Sequence, residues 1–224
     1  MREWKQRELT FRTHGGRRRG AGRKPAAIRP EVPHRRRPEH HKHHPVHVTL
    51  RVARGLPSLR RDLLFARIRS AFARTARTWF RIVHYSIQAD HVHMLVEAND
   101  KVSLSRGLTG ALVRLARAVN RVLGRRGSIW SSRYHARALK TPREVRNAIV
   151  YVLMNAKKHL LDALEIDPCS SAWCFRGWKT PPSTGPLPAD QAIRLPETWL
   201  LRTGWKRHGL IGLEERPRSA VEQR

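Results

Sequence analysis

Three features of the sequence predict an α+β fold. Between residues 45 and 160 the apolar positions switch repeatedly between a period of two and a helical period. The short Ala89-Asp90 turn separates two strand-like runs, and Thr141-Pro142-Arg143-Glu144 opens a helix after the last of them. Val46, Val48, Leu50 and Val52 alternate with more polar residues, as in a strand buried on one side. Residues 57–80 begin at Pro57-Ser58 and carry Leu64, Ile68 and Phe72 at helical spacing. On another face of that helix Arg60, Arg67 and Arg74 recur every seventh residue.

Residues 81–88, with Ile82, Val83, Tyr85 and Ile87, and residues 91–97 form a predicted hairpin across Ala89-Asp90. A second helix is expected over 103–124, with Leu104, Leu108, Leu112, Leu115 and Val119 inward and Arg114, Arg117, Arg121 and Arg125 outward; Gly124 closes it. Residues 128–139 supply a fourth extended segment. The capping box at Thr141 to Glu144, with Pro142 at the first helical position, then starts a third helix. This order is the ferredoxin-like βαββαβ arrangement with an additional C-terminal helix. Residues 161–224, interrupted by Pro181, Pro182, Gly185 and Pro186, are expected to form an irregular extension that packs on the core.

The charge balance narrows the function. The 224 residues hold 46 Lys and Arg against 17 Asp and Glu, a net charge of +29, with a pI near 11.8. Such a balance excludes most ordinary cytosolic enzymes, and a hydrophobic content of 40% excludes a wholly disordered basic tail. Residues 1–45 contribute +10, residues 46–160 contribute +18 and residues 161–224 only +1. The predicted folded segment is therefore itself basic, and its simplest partner is a nucleic acid. Apolar runs such as 148–156 are far short of a membrane span, and residues 1–10 lack a signal-peptide hydrophobic region. The expected location is cytoplasmic and nucleoid-associated, with no membrane partner. Cys169 and Cys174 are too few for a disulfide framework or a zinc ribbon and read as small semi-buried residues.

Residues 1–45 show no regular period and read as a disordered basic arm. Gly22-Arg23-Lys24-Pro25 resembles an AT-hook, which would place Arg23 in an A·T minor groove; the plainer alternative is a nonspecific basic arm. The cluster His40-His41-Lys42-His43-His44 reads as polar filler or an adventitious metal binder.

Chemistry concentrates in two places. In His91-Val92-His93-Met94 the two-residue period sends both histidines to one face of a strand, where they could share a metal ion or simply be hydrogen-bonded. On the third helix Val145, Ile149, Val152 and Ala156 share one face, and Asn147, Tyr151, Asn155 and Lys158 share the other. Tyr151 on that second face is either an amphipathic residue at the rim of the core or a functional one.

At these positions the sequence resembles the REP-associated tyrosine transposases, a branch of the single-tyrosine HUH transposases with an IS200-like domain. The matching pieces are His91-Val92-His93-Met94, the extended segment from Trp130 to Tyr134, and Tyr151-Val152-Leu153-Met154-Asn155-Ala156. The resemblance spans about residues 45–160; the basic N-terminus and the aromatic patch around residues 199–209 resemble some members less specifically. One departure is Asn155-Ala156-Lys157-Lys158, where many relatives have Asn-Pro before a basic residue.

The resemblance implies a DNA strand transferase that cuts single-stranded DNA through a 5′-phosphotyrosine. Tyr151 would be the nucleophile, with His91, His93 and Asn155 as ligands of Mg²⁺ or Mn²⁺, a set with the oxygen donor a hard cation prefers. DNA from hairpin-forming repeats would contact Arg60, Arg67, Arg74, Arg114, Arg117 and Arg121. Arg133, Lys158 and Arg23 would add contacts, and Trp130 or Tyr134 would stack bases. The resemblance also leaves room for a homodimer. Competing readings are a ferredoxin-like RNA-binding module, disfavoured because residues 91–97 lack stacking aromatics; a replication-initiator or relaxase nickase; and a catalytically retired DNA-binding protein.

Overall fold

The computed structural model describes residues 39–159, 165–183 and 190–217. Its core runs β1 (Val46–Arg51), α1 (Asp62–Ala73), β2 (Phe80–Ile87), β3 (His91–Ala98), α2 (Lys101–Val122), β4 (His135–Ala138) and α3 (Pro142–Leu153). The four strands form one sheet in the order β2-β3-β1-β4, with every neighbouring pair antiparallel. This is the expected split βαβ topology, with β3 laid between β1 and β2.

The elements arise where the periodicity placed them, with shorter ends. α1 covers only the middle of 57–80. Its start is set back because Leu59 is buried and its N–H donates to Ala89 O, and its end is fixed where Thr75 Oγ1 donates to Ala71 O. α2 begins two residues earlier than expected because Asp100 caps it, its carboxylate accepting from the Ser103 N–H at 2.7 Å. Gly124, at φ +60°, closes that helix as expected. β4 keeps four of the twelve residues assigned to 128–139; before it, Trp130 makes a single bridge to Val52, and Ser131 N–H donates to Arg51 O. The capping box forms: Glu144 N–H donates to Thr141 Oγ1, and Thr141 N–H donates to Glu144 Oε2, both at 3.2 Å.

The sheet buries both faces. On one, Val48, Leu50, Met94 and Val96 pack under α1 and α2 against Phe72, Leu108 and Leu115. Gly107 of α2 lies so close to Phe80 that a Cβ would stand 2.1 Å from its ring, so the helix meets β2 through a residue with no side chain. The other face is covered by α3, whose Val145, Ile149 and Val152 meet Val83 and Leu95. A bulge in β2 at Ile82/His84 permits this. Val83 turns to the α3 side, His84 reaches Phe175 and Ser171 on the extension, and Tyr85 and Ile87 return to the α1 and α2 side.

The C-terminal extension has more structure than anticipated. It contains a 3₁₀ turn (Ser171–Cys174), a short helix α4 (Trp199–Arg202) and a second 3₁₀ turn (Gly204–His208). Phe175, Trp178, Leu200, Leu201, Trp205 and Ile211 pack against α3 and complete the second core. It also covers the edge of β2, where Ile87 N–H donates to Cys169 O and Arg194 N–H donates to Ile82 O, both at 2.8 Å. The expected arm lies outside the described residues up to 38, including Arg23. His40, in contrast, is docked: its Nε2 lies 2.8 Å from Ala98 O. No helix among the described residues is long and apolar enough to cross a membrane.

Candidate active site on the α3 face of the sheet

β1 alternates Val46, Val48 and Leu50 toward α1 and α2 with His47, Thr49 and Arg51 toward the opposite face. Because Thr49 pairs with His93 and Arg51 with His91, the two histidines of β3 emerge on that second face beside His47 and Thr49. Their rings stand 4.7 Å apart, nearly perpendicular. α3 crosses the same face and brings Tyr151 to them: its ring centroid lies 5.0 Å from His93 and 5.5 Å from His47, edge-on in both cases. The structure thus unites Tyr151 with the histidine pair, and it adds His47.

Each histidine is oriented through Nδ1. Asp90 in the hairpin turn reaches His91 Nδ1 at 2.6 Å. Asp90 Oδ2 also lies 3.4 Å from Arg51. His93 Nδ1 has Thr49 Oγ1 at 3.1 Å and His47 Nε2 at 3.3 Å. With its proton on Nδ1, His93 donates to these acceptors and directs the Nε2 lone pair away from the strand, the arrangement of a metal-ligating imidazole held from behind. Burial, reinforced by His135 and Arg137, pushes the His47 pKa down to about 4, so His47 is neutral at pH 7. Burial raises the Asp90 carboxyl, but His91 and Arg51 together outweigh it and hold it below the usual range.

Asn155 departs from expectation in one respect. α3 ends at Leu153, and Asn155 opens a 3₁₀ turn (Asn155–His159), so it is not simply the next position on Tyr151's helical face. It is 1% exposed, and neither its Oδ1 nor its Nδ2 has a hydrogen-bond partner among the described residues. A buried amide left in this state costs ~1–3 kcal/mol and calls for a ligand. Two imidazoles joined by an amide oxygen, with no thiolate, would be a donor set that fits a divalent cation of the Mg²⁺ or Mn²⁺ kind. Among the described residues no three His, Cys, Asp or Glu side chains form a metal cluster, so an ion here would depend on the amide or on substrate oxygens.

The residues expected to contact DNA do not gather at this site. α1 and α2 lie across the sheet from His93, and so do Arg67, Arg117 and Arg121, which are exposed, and Arg114, which is half-buried. Arg74 is exposed and donates to Ser70 Oγ at 2.6 Å. Arg60 is a correction: it forms a bidentate pair with the buried carboxylate of Asp167 at 2.9 and 2.7 Å and donates to Ile87 O, so it ties the extension to the core. Trp130 and Tyr134 pack half-buried against the α1 and α2 core, on the side of the sheet that carries the expected arginine faces. Arg133 is exposed ahead of β4. The side chain of Lys158 lies outside the described residues.

His47, Thr49 and Asp90 were missed. The signal was present in Val46-His47-Val48-Thr49-Leu50-Arg51, but the period alone does not say which strand lies beside β3.

No curated protein matches the chain. Among solved structures it is similar to a REP-associated tyrosine transposase bound to a REP hairpin. The TM-score is 0.51 at 18% identity, over 62% of this chain and 82% of that one, a likeness of fold. The profile of the family described as "Transposase IS200 like" matches residues 41–153, just over half of the sequence and all of the sheet, α1 and α2, and α3 as far as Leu153. The chain belongs to the IS200-like transposase family.

Proposed function

We propose that this protein is a metal-dependent single-stranded DNA transesterase that cleaves and rejoins one strand through a 5′-phosphotyrosine. The observation that carries the proposal is the placement of Tyr151 edge-on against His93, on a helix laid over the strand face that bears both histidines. His91, His93 and Asn155 would hold the ion, which when bound would polarise the scissile phosphate and offset charge on its oxygens. The protein ligands are formally neutral, so substrate phosphate would supply the negative charge, as is common for Mg²⁺.

Tyr151 Oη attacks phosphorus, the bond from phosphorus to the 3′-oxygen breaks, and in net balance the phenol proton ends on that oxygen. One phosphodiester replaces another, so the step is reversible and needs no external energy source. Asp90, Thr49 and His47 fix the imidazole planes. α3, clamped between the sheet and the extension, limits the positions open to the phenol.

The hairpin bound in the similar structure supports hairpin-forming single-stranded DNA as the substrate class. Incubation of the full chain with labelled hairpin DNA and Mn²⁺ should yield a covalent protein–DNA band that EDTA prevents. An undiminished band in EDTA would remove the metal from the reading, and no band under any divalent ion would remove the chemistry.

A further inference from the structure

The C-terminal extension is nearly neutral by count, yet four of its cations line one cavity of about 410 Å³. Arg176 follows the first 3₁₀ turn, Arg194 sits in the segment bonded along β2, Arg202 ends α4, and Lys206 lies in the second 3₁₀ turn. The cavity is floored by apolar and aromatic groups, chiefly Trp205, 2% exposed, and Phe175, with His84 beside them. At the mouth stands Leu195, 87% exposed, which no packing within the described chain explains.

The electrostatics are one-sided. Asp190 is the one carboxylate among the described lining residues, and it is committed elsewhere: Tyr85 Oη donates to it at 2.7 Å and Arg69 pairs with it at 3.1 Å. The Arg194 guanidinium is pinned by the carbonyls of Gln191 and Ile193. Arg176, Arg202 and Lys206 make no ion pair among the described residues. An apolar floor within a cationic rim suits a ligand that is flat and apolar at one end and anionic at the other, and the volume lies within the ~300–1,000 Å³ usual for ligand pockets. A nucleotide has that form.

We infer that this cavity is a nucleotide-binding subsite for single-stranded DNA, separate from the Tyr151 site, taking one base against Leu195 and Pro196 at its mouth and its flanking phosphates on Arg176, Arg202 and Lys206. It deepens the proposed function and rests on that reading's DNA substrate. It also gives the extension a role of its own, beyond the family match, which ends at residue 153. An acidic peptide would satisfy the cations, but it would leave the exposed Leu195 without purpose.

The test uses the full chain and fluorescent dT12. The triple variant Arg176→Gln/Arg202→Gln/Lys206→Gln should bind more weakly and flatten the log–log salt dependence by about 2, at about 0.7 per phosphate lost. A control, Arg54→Gln/Arg77→Gln/Arg126→Gln, removes the same charge from exposed positions elsewhere and should change the slope far less. Hydrogen exchange on the unmodified chain should show dT12 protecting residues 193–196 and 201–206. Equal slopes for the two variants, no protection there, or protection by poly-glutamate but not by dT12 would each overturn the subsite. The adduct assay with hairpin DNA is read separately: an adduct formed without protection here keeps the transesterase and rejects the subsite. Protection without an adduct does the reverse.

Discussion

His47 and His93, on neighbouring strands and 46 positions apart in sequence, face each other with Nε2 and Nδ1 separated by 3.3 Å. His47 also touches the ring of Tyr151. Under the proposed chemistry it is a positioning residue for both the metal ligand and the nucleophile. His47→Ala should weaken Mn²⁺ binding by about 10- to 100-fold, the usual cost of losing a residue behind a metal ligand. Mn²⁺ titration followed by electron paramagnetic resonance measures this without turnover, and unchanged affinity would reduce His47 to a packing residue.

Tyr151→Phe should abolish the covalent adduct and leave hairpin affinity within about twofold, because the hydroxyl supplies the attacking oxygen and little contact area. The other tyrosines are poor substitutes. Tyr85 is buried, and both burial and its bond to Asp190 push its hydroxyl far above the ordinary range, while Tyr134 packs on the opposite side of the sheet. An adduct in the variant, mapped by mass spectrometry, would relocate the nucleophile.

Arg60→Gln separates a structural arginine from a DNA-binding one. It strands the buried Asp167 carboxylate, so stability should fall by about 2–4 kcal/mol while the salt slope of DNA binding stays unchanged. Urea unfolding and fluorescence anisotropy on the same preparation give the two readings. A flatter slope at constant stability would return Arg60 to the DNA surface.

Stability should also depend on mild acid. Burial depresses the His84 pKa to about 4 from a model-peptide value of 6.5, so below pH 6.5 the unfolded chain binds a proton that the folded chain refuses. Stability is complete above pH 6.5 and falls by about 1.4 kcal/mol per pH unit for this group until pH 4. His47 shares the window. His84→Gln should remove about half of the pH slope, measured as urea midpoints between pH 6.5 and 4.5; an unaltered slope would place the titration elsewhere.

The sequence revealed much of the fold and half of the site. Strand and helix periods were legible because apolar residues recur on one side of each element, even in β2 and β3, which are buried on both faces, and the capping box at Thr141 marked the start of α3. The His91/His93 pair and Tyr151 were legible by the same periods and by the family resemblance. His47 escaped because its relevance depends on β1 lying beside β3, a register set by long-range pairing. Arg60 was read as a DNA contact for a related reason. A cation looks available in a sequence until its partner is known, here the buried carboxylate of Asp167.

Arg146 of α3 clasps Glu215 and the carbonyls of Gly209 and Leu210, closing a loop of about seventy residues around the helix that bears Tyr151. That clasp orders events during synthesis. The sheet and most of the layer of α1 and α2 are built from neighbouring stretches that precede α3, with Cys169 and Ala192 added later, whereas the packing behind Tyr151 waits largely for the extension. A nascent or prematurely terminated product would thus carry the two histidines on a formed sheet, but a tyrosine on an unsupported helix. If Tyr151 is the nucleophile, its helix gains that support only once the residues through Glu215 are in place.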